Sequence, residues 1–122
     1  MKQALAAICL LAASATAALA GKADVVDASA SAQGAGLWRF DVTVKHADSG
    51  WDHYADNFEI LTMQGKLIAR RILYHPHETE QPFTRSISGV KIPAGQKRVR
   101  IRAHDKVHGY GGRDIELELD PE

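Results

Sequence analysis

The sequence predicts an all-β protein, namely an immunoglobulin-like β-sandwich of about seven antiparallel strands. Apolar and polar side chains alternate with a period of two, as in strands with one buried face, rather than with the helical period of 3.6. Turn signals made of glycine and proline recur at regular spacing, which is typical of sandwiches. The chain contains one cysteine, so the disulfide pair of antibody domains is absent. A small closed β-barrel is the alternative fold.

The first two strands are expected at 23–28 and 37–45, with a loop between them. Residues 29–36 are small and flexible, which is typical of a loop. In the second strand one face is polar and the other is apolar, the latter made of Trp38, Phe40, Val42 and Val44. His46 continues the apolar face and is therefore expected to cap the core.

Three weaker strand patterns occupy the middle of the chain, at 58–62, 66–75 and 84–91. A Gln-Gly turn separates the first two, and two prolines bracket a loop at 75–82. These breakers define the strand ends more clearly than the side-chain pattern does.

The last two strands are expected at 97–105 and 113–119, where the alternation is clear again. A Pro-Ala-Gly turn precedes the former, and a glycine-rich loop separates the two. The inward faces are Val99, Ile101 and Ala103 in one strand and Ile115, Leu117 and Leu119 in the other.

Three long loops are expected at one end of the sandwich, because consecutive strands alternate in direction. These loops lie at about 46–57, 75–82 and 106–112, whereas the turns at the opposite end are short. All six histidines fall within or beside these loops, in the segments 46–53, 75–77 and 104–108. Loops on a rigid scaffold often carry binding residues.

The histidines indicate a site for a divalent metal ion, with copper or zinc as the candidates because both accept imidazole ligands. His75 and His77 flank a proline that keeps the backbone extended, so both rings can point the same way. The candidate ligands are His53, His75, His77 and His108, with His104 in reserve. Acidic residues of the same loops are candidate extra ligands or acceptors that orient the rings, namely Asp52, Asp56, Glu78, Glu80 and Asp105.

Two other functions stay open for the same loops. In the first, the polar cluster is purely structural and the chain is an interaction module that contacts a partner protein or a glycan. In the second, the clustered imidazoles make a pH-responsive module. Aromatic residues of these loops form either a ligand platform or a small satellite core, namely Trp51, Tyr54, Phe83 and Tyr110. An enzyme is not expected, because no serine has a recognisable motif and no general base can be identified.

Residues 1–20 have the features of a secretory signal peptide. Lys2 supplies the positive charge, an apolar run follows, and Ala18–Ala20 form a small-residue cleavage site before Gly21. The apolar run is too short for a confident membrane span, and the setting of Cys9 within it does not favour lipidation. We therefore expect a periplasmic or secreted protein with a single domain at 21–122.

Nucleic acid is not an expected partner. Removal of Lys2 from the 15 basic residues leaves 14 against 15 acidic ones, a net charge near −1. Nucleic-acid binding requires a basic patch that displaces counterions, and the short arginine stripe at 98–102 alternates with apolar residues as in a solvated strand face.

Three motifs resemble those of a family of small secreted bacterial proteins of uncharacterised function. They are Gly-Trp-Asp-His-Tyr-Ala-Asp at 50–56, His-Pro-His with Glu-Gln-Pro-Phe-Thr-Arg-Ser at 75–86, and Ala-His-Asp with His-Gly-Tyr-Gly-Gly at 103–112. The resemblance covers about residues 37–119 and implies export, but it carries no catalytic or binding role to any residue.

Overall fold

The computed structural model describes residues 21–120, and within them the fold is all-β. The strands in chain order are β1 Asp24–Gly34, β2 Leu37–Lys45, β3 Ala55–Thr62, β4 Leu67–Ile72, β5 Phe83–Lys91, β6 Arg98–Asp105 and β7 Ile115–Glu118. The predicted fold class is confirmed. The predicted signal peptide lies outside the described residues. Between residues 21 and 120 there is no helix of the length and apolarity needed to cross a membrane.

Two antiparallel sheets form the sandwich. One has the strand order β1-β2-β5 and the other has the order β4-β3-β6-β7. The chain passes from β2 to β3 in the opposite sheet and later returns to β5 beside β2, as in immunoglobulin-like sandwiches. The exits of β2, β4 and β6 therefore lie at one end, and that end carries the three long loops.

The core lies between the two sheets and is formed by the alternating inward faces of their strands. Buried residues of both sheets belong to one hydrophobic cluster. The fully buried members with the largest apolar side chains are Phe40, Phe58, Phe83, Ile60, Leu73 and Ile101. Burial of each such side chain contributes about 1.5–3 kcal/mol to folding.

The loop predicted at 29–36 is wrong, because β1 continues through this segment to Gly34. Its residues pair with β2 from Ser29 opposite Asp41 to Gly34 opposite Leu37. Small residues suffice here because β1 is an edge strand held by main-chain hydrogen bonds, which do not depend on side-chain size. The turn that follows needs positive φ at Ala35, with φ 58°, and at the glycines on either side.

A buried carboxylate supports the outer face of the four-stranded sheet. Glu59 on β3 is 1% exposed and accepts hydrogen bonds from Arg70 and Arg102 on the neighbouring strands. Burial alone raises the pKa of Glu59, but hydrogen bonds from Tyr110 and the two arginines lower it below its ordinary value. The ionised carboxylate thus connects β4 and β6 through β3.

Candidate metal centre

Three side chains from three different elements converge at the loop end of the core. His46 follows β2, Asp105 is the last residue of β6, and His53 lies in the loop between β2 and β3. His46 and Asp105 both continue the inward face of their strand by one step beyond the apolar core. They therefore face each other across the sandwich, and His53 covers them from the loop.

The distances within this cluster suit a metal ion. His46 Nε2 lies 3.1 Å from His53 Nε2, and His53 Nε2 lies 3.3 Å from Asp105 Oδ1. The three candidate ligand atoms all lie within 4.8 Å of one another. Ligand atoms about 2.0–2.2 Å from a tetrahedral zinc ion are about 3.3–3.6 Å apart. The cluster is therefore close to the spacing that a bound ion requires.

The partners of His46 fix the direction in which its free nitrogen points. Nδ1 donates to Asp48 Oδ1 at 2.6 Å, so Nε2 of the neutral ring offers a lone pair. That lone pair faces the carbonyl oxygen of Gly21 at 3.1 Å and Asp105 Oδ2 at 3.9 Å, which are both acceptors. A proton from the His53 ring, a second proton on His46 or a metal cation at Nε2 can offset the repulsion between these electron-rich atoms. A carboxylate that orients the far side of a ligating imidazole is a recurrent feature of metal sites.

Asp105 is an anionic group at the centre of the cluster. Its side chain is fully buried, and its Oδ1 accepts hydrogen bonds from the main-chain N–H groups of Val107 and His108. Burial alone raises the pKa of Asp105, but these hydrogen bonds and the charges of His46 and His108 lower it below its ordinary value. Its Oδ2 is buried and has no hydrogen-bond partner among the described residues. Such an unpaired carboxylate oxygen is costly unless a cation compensates it.

His108 lies beside the cluster without joining its group of ligand atoms. Its Nδ1 is 3.2 Å from Asp105 Oδ1, and its ring centroid is 5.0 Å from that of His53. The His108 side chain is 35% exposed, so it stands between the buried carboxylate and the solvent. Of the five predicted ligands, His53 and His108 are thus the two that the structure brings to Asp105.

His75 and His77 form a separate pair. Their ring centroids are 4.7 Å apart, and His77 stacks on Phe83 at 3.9 Å with an interplanar angle of 12°. The His77 ring is almost fully buried, and neither of its nitrogens has a hydrogen-bond partner among residues 21–120. The two rings are tilted by 38° to each other, and His77 is buried whereas His75 is exposed. The structure does not bring this pair into the group with His53.

His104 belongs to a third group on the outer face of β6. Its Nδ1 is 2.5 Å from Asp56 Oδ1, and its ring packs edge-on against Tyr110 at 4.7 Å. Arg102 lies over the same tyrosine ring, with its guanidinium carbon 3.7 Å from the centroid. His104 is therefore also outside the group of ligand atoms that contains His53.

Sequence reasoning did not place His46 among the ligands and gave Asp105 an auxiliary role. The expectation that His46 caps the core is confirmed by its 3% exposure, yet the same position brings its Nε2 to the cluster. The available signal was strand parity, because both residues follow the last apolar residue of an inward face. Polar residues that occupy such positions in facing strands meet at the end of the core.

The pH dependence of folding should be altered by His77→Phe. Burial lowers the pKa of His77, with further contributions from the charges of Arg85 and His75 that outweigh those of Asp48 and Glu80. Below about pH 6.5 the His77 ring takes up a proton more readily in the unfolded chain than in the folded protein. The free energy of unfolding therefore decreases as the pH falls, by up to about 1.4 kcal/mol per pH unit.

Phenylalanine keeps the stacking on Phe83 and removes both the titration and the two unpaired nitrogens of His77. We expect the variant to be more stable by about 1 kcal/mol and to lose less stability than wild type between about pH 6.5 and pH 5. Urea unfolding at stepped pH values measures both effects. If the free energy of unfolding had the same pH dependence in wild type and in His77→Phe, titration of His77 would not contribute to stability.

Comparison with known proteins shows similarity to a protein of Halomicrobium mukohataei. A Halomicrobium mukohataei protein that bears the name "Putative lipoprotein" is 39% identical to this chain over 99 residues. The match covers 81% of this chain and 48% of that protein, so the chain spans about half the length of the relative it matches. No family model and no solved structure matches the chain.

Proposed function

We propose that this chain is an exported β-sandwich protein that binds a divalent copper or zinc ion through His46, His53 and Asp105. The observation that carries the proposal is the meeting of two imidazole nitrogens and one carboxylate around an unpaired, buried Asp105 Oδ2. Imidazole with carboxylate is a ligand set that both metals accept. The role is binding rather than catalysis, because the cluster includes no arranged nucleophile with a neighbouring base.

Export is supported by two independent features. The first is the signal-peptide pattern at 1–20. The second is the name of the Halomicrobium mukohataei relative, since lipoproteins belong to the cell envelope. We accordingly propose a periplasmic or secreted location. We also propose that the chain is related to the small secreted bacterial proteins that its motifs resemble.

Thermal unfolding of the untagged, metal-free protein tests the metal site. Addition of Zn²⁺ or Cu²⁺ in excess should raise Tm, since an ion that binds the folded state at 100 times Kd stabilises it by about 2.7 kcal/mol. His53→Asn should abolish the shift, because the partly exposed ring is replaced without disturbing the buried Asp48 contacts. His75→Asn is the matched control and should leave the shift intact, since His75 lies outside the group of His46, His53 and Asp105. An unchanged Tm in wild type with both metals would refute the proposal.

A second candidate function is contact with a partner protein or glycan at the same end. It is favoured by the exposure of large apolar side chains on three of these loops, since Trp51 is 64% exposed, Tyr74 73% and Val107 59%. Trp51 packs edge-on against buried Tyr54 at a centroid distance of 5.7 Å, which holds the exposed ring in place. Under this alternative His53→Asn leaves partner binding unchanged.

A further inference from the structure

The main chain of Gly21 lies against the candidate metal centre. Its carbonyl oxygen is 3.1 Å from His46 Nε2, which is the same distance that separates His46 from His53. On its other side, a Cβ added to Gly21 would lie 3.6 Å from Nε2 and Cε1 of His108. Gly21 is thus placed between the rings of His46 and His108.

Gly21 also lines a cleft beside the candidate metal centre. Gly21 and His108 line a cleft of about 510 Å³ together with Lys22, Asp24 and the glycines that precede Arg113. The opposite side of the centre is closed by the core, where His46 and Asp105 are fully buried. The main chain of Gly21 therefore lies between this cleft and His46.

Signal-peptide cleavage after Ala20 would make Gly21 the first residue of the mature chain. Its nitrogen would then be a primary amine instead of an amide. We infer that the main chain of Gly21 completes the metal site, with its carbonyl oxygen and its α-amino group as ligands, so that removal of the signal peptide assembles the full site. This inference rests on the proposed metal-binding function.

The chemistry of the amino group explains why processing matters. An α-amino group has a pKa of about 7.7–8.0, so a metal ion displaces its proton easily near neutral pH. The nitrogen of an ordinary peptide bond has no comparable lone pair available. Nitrogen and carbonyl oxygen of one residue bind an ion as a five-membered ring, which holds both donors beside His46 and His53.

The test compares two forms of the protein. The first is the full chain exported with its own leader, purified after processing, with its first residue identified by intact mass. The second is residues 18–122, which keeps Ala18–Ala20 ahead of Gly21 and still contains all seven strands. Titration calorimetry with Cu²⁺ and Zn²⁺ at pH 7.5 should give a Kd at least tenfold weaker for the extended form. In the Asp105→Asn variant, the Kd values of the processed and extended forms should differ by a smaller factor.

A spectroscopic measurement reads the amino ligand directly. The Cu²⁺ electron paramagnetic resonance spectrum of processed protein should change its nitrogen splitting when the glycines carry ¹⁵N, and the extended form should show no such change. Equal Kd values with unchanged splitting would overturn the inference while leaving the proposed function in place. Failure of both forms to bind either metal would overturn both. A mature chain that begins elsewhere than Gly21 would also overturn the inference.

Discussion

Asp48→Ala should destabilise the fold by about 4 kcal/mol, the largest stability effect expected in the loop end. The Asp48 carboxylate is fully buried and accepts hydrogen bonds from the His46 ring, the Ala55 N–H at 2.9 Å and the His77 N–H at 2.7 Å. Alanine leaves three buried donors without an acceptor, and each unsatisfied group costs about 1–3 kcal/mol. This is a large fraction of the 5–15 kcal/mol typical of a domain.

The structural reason for so large an effect is that Asp48 connects separate segments of the chain. His46 follows β2, Ala55 begins β3, and His77 lies in the loop between β4 and β5. One carboxylate therefore fixes the relative position of three loop segments and holds the His46 ring in the orientation that aims Nε2 at the metal centre.

Urea unfolding measures the change, and far-UV circular dichroism establishes that the variant is folded before denaturant is added. Asp52→Ala is the matched control, since this acid of the same loop is exposed and its replacement should cost less than about 0.5 kcal/mol. A cost for Asp48→Ala near that of the control would show that water satisfies the three donors and that Asp48 does not organise the loops.

The fold could be predicted from the sequence because its strongest signals are local. The alternation in β2 and β6 is confirmed residue by residue, with Phe40, Val42, Ile101 and Ala103 inside the core. The length of β1 could not be predicted in the same way. Its alanines and serines have little strand signature, and main-chain pairing with β2 defines the strand.

Only the location of the candidate site could be predicted from the sequence. Strand directions placed the three histidine-bearing loops at one end, and the contacts of Asp48 with His77 and of His53 with His108 confirm that these loops meet. Which rings converge depends on details that the pattern does not contain. The stacking of His77 on Phe83 and the pairing of His104 with Asp56 are tertiary contacts without a spacing signature.

Asp105→Asn should lower the affinity for Cu²⁺ or Zn²⁺ at least about 100-fold, equivalent to about 2.7 kcal/mol, while leaving the metal-free fold intact. The amide oxygen can still accept the N–H groups of Val107 and His108 in place of Oδ1. The amide nitrogen can donate to the lone pair of His46 Nε2 or His53 Nε2. The variant lacks the negative charge that would face the ion. An amide NH₂ group takes the place of the unpaired Asp105 Oδ2, so this oxygen ligand is lost.

The same variant separates the metal site from a purely structural cluster, because the two accounts predict different stabilities without metal. In a metal site the bound ion supplies the compensating charge, so Asp105→Asn should change the free energy of unfolding of the metal-free protein by less than about 1 kcal/mol. In a structural cluster the buried contacts of Asp105 with His46 and His53 hold the loop end together, so their loss should cost about 3–5 kcal/mol.

Urea unfolding in the presence of a chelator and metal titration by calorimetry give the two quantities on one preparation. Glu78→Gln serves as the control for loss of one negative charge in the same end of the molecule, since Glu78 is exposed. Loss of affinity with retained stability identifies Asp105 as a ligand. Loss of stability with no metal binding in wild type identifies the three residues as a buried ion network, and the polar end of the core then serves to hold the loops that carry Trp51 and Val107.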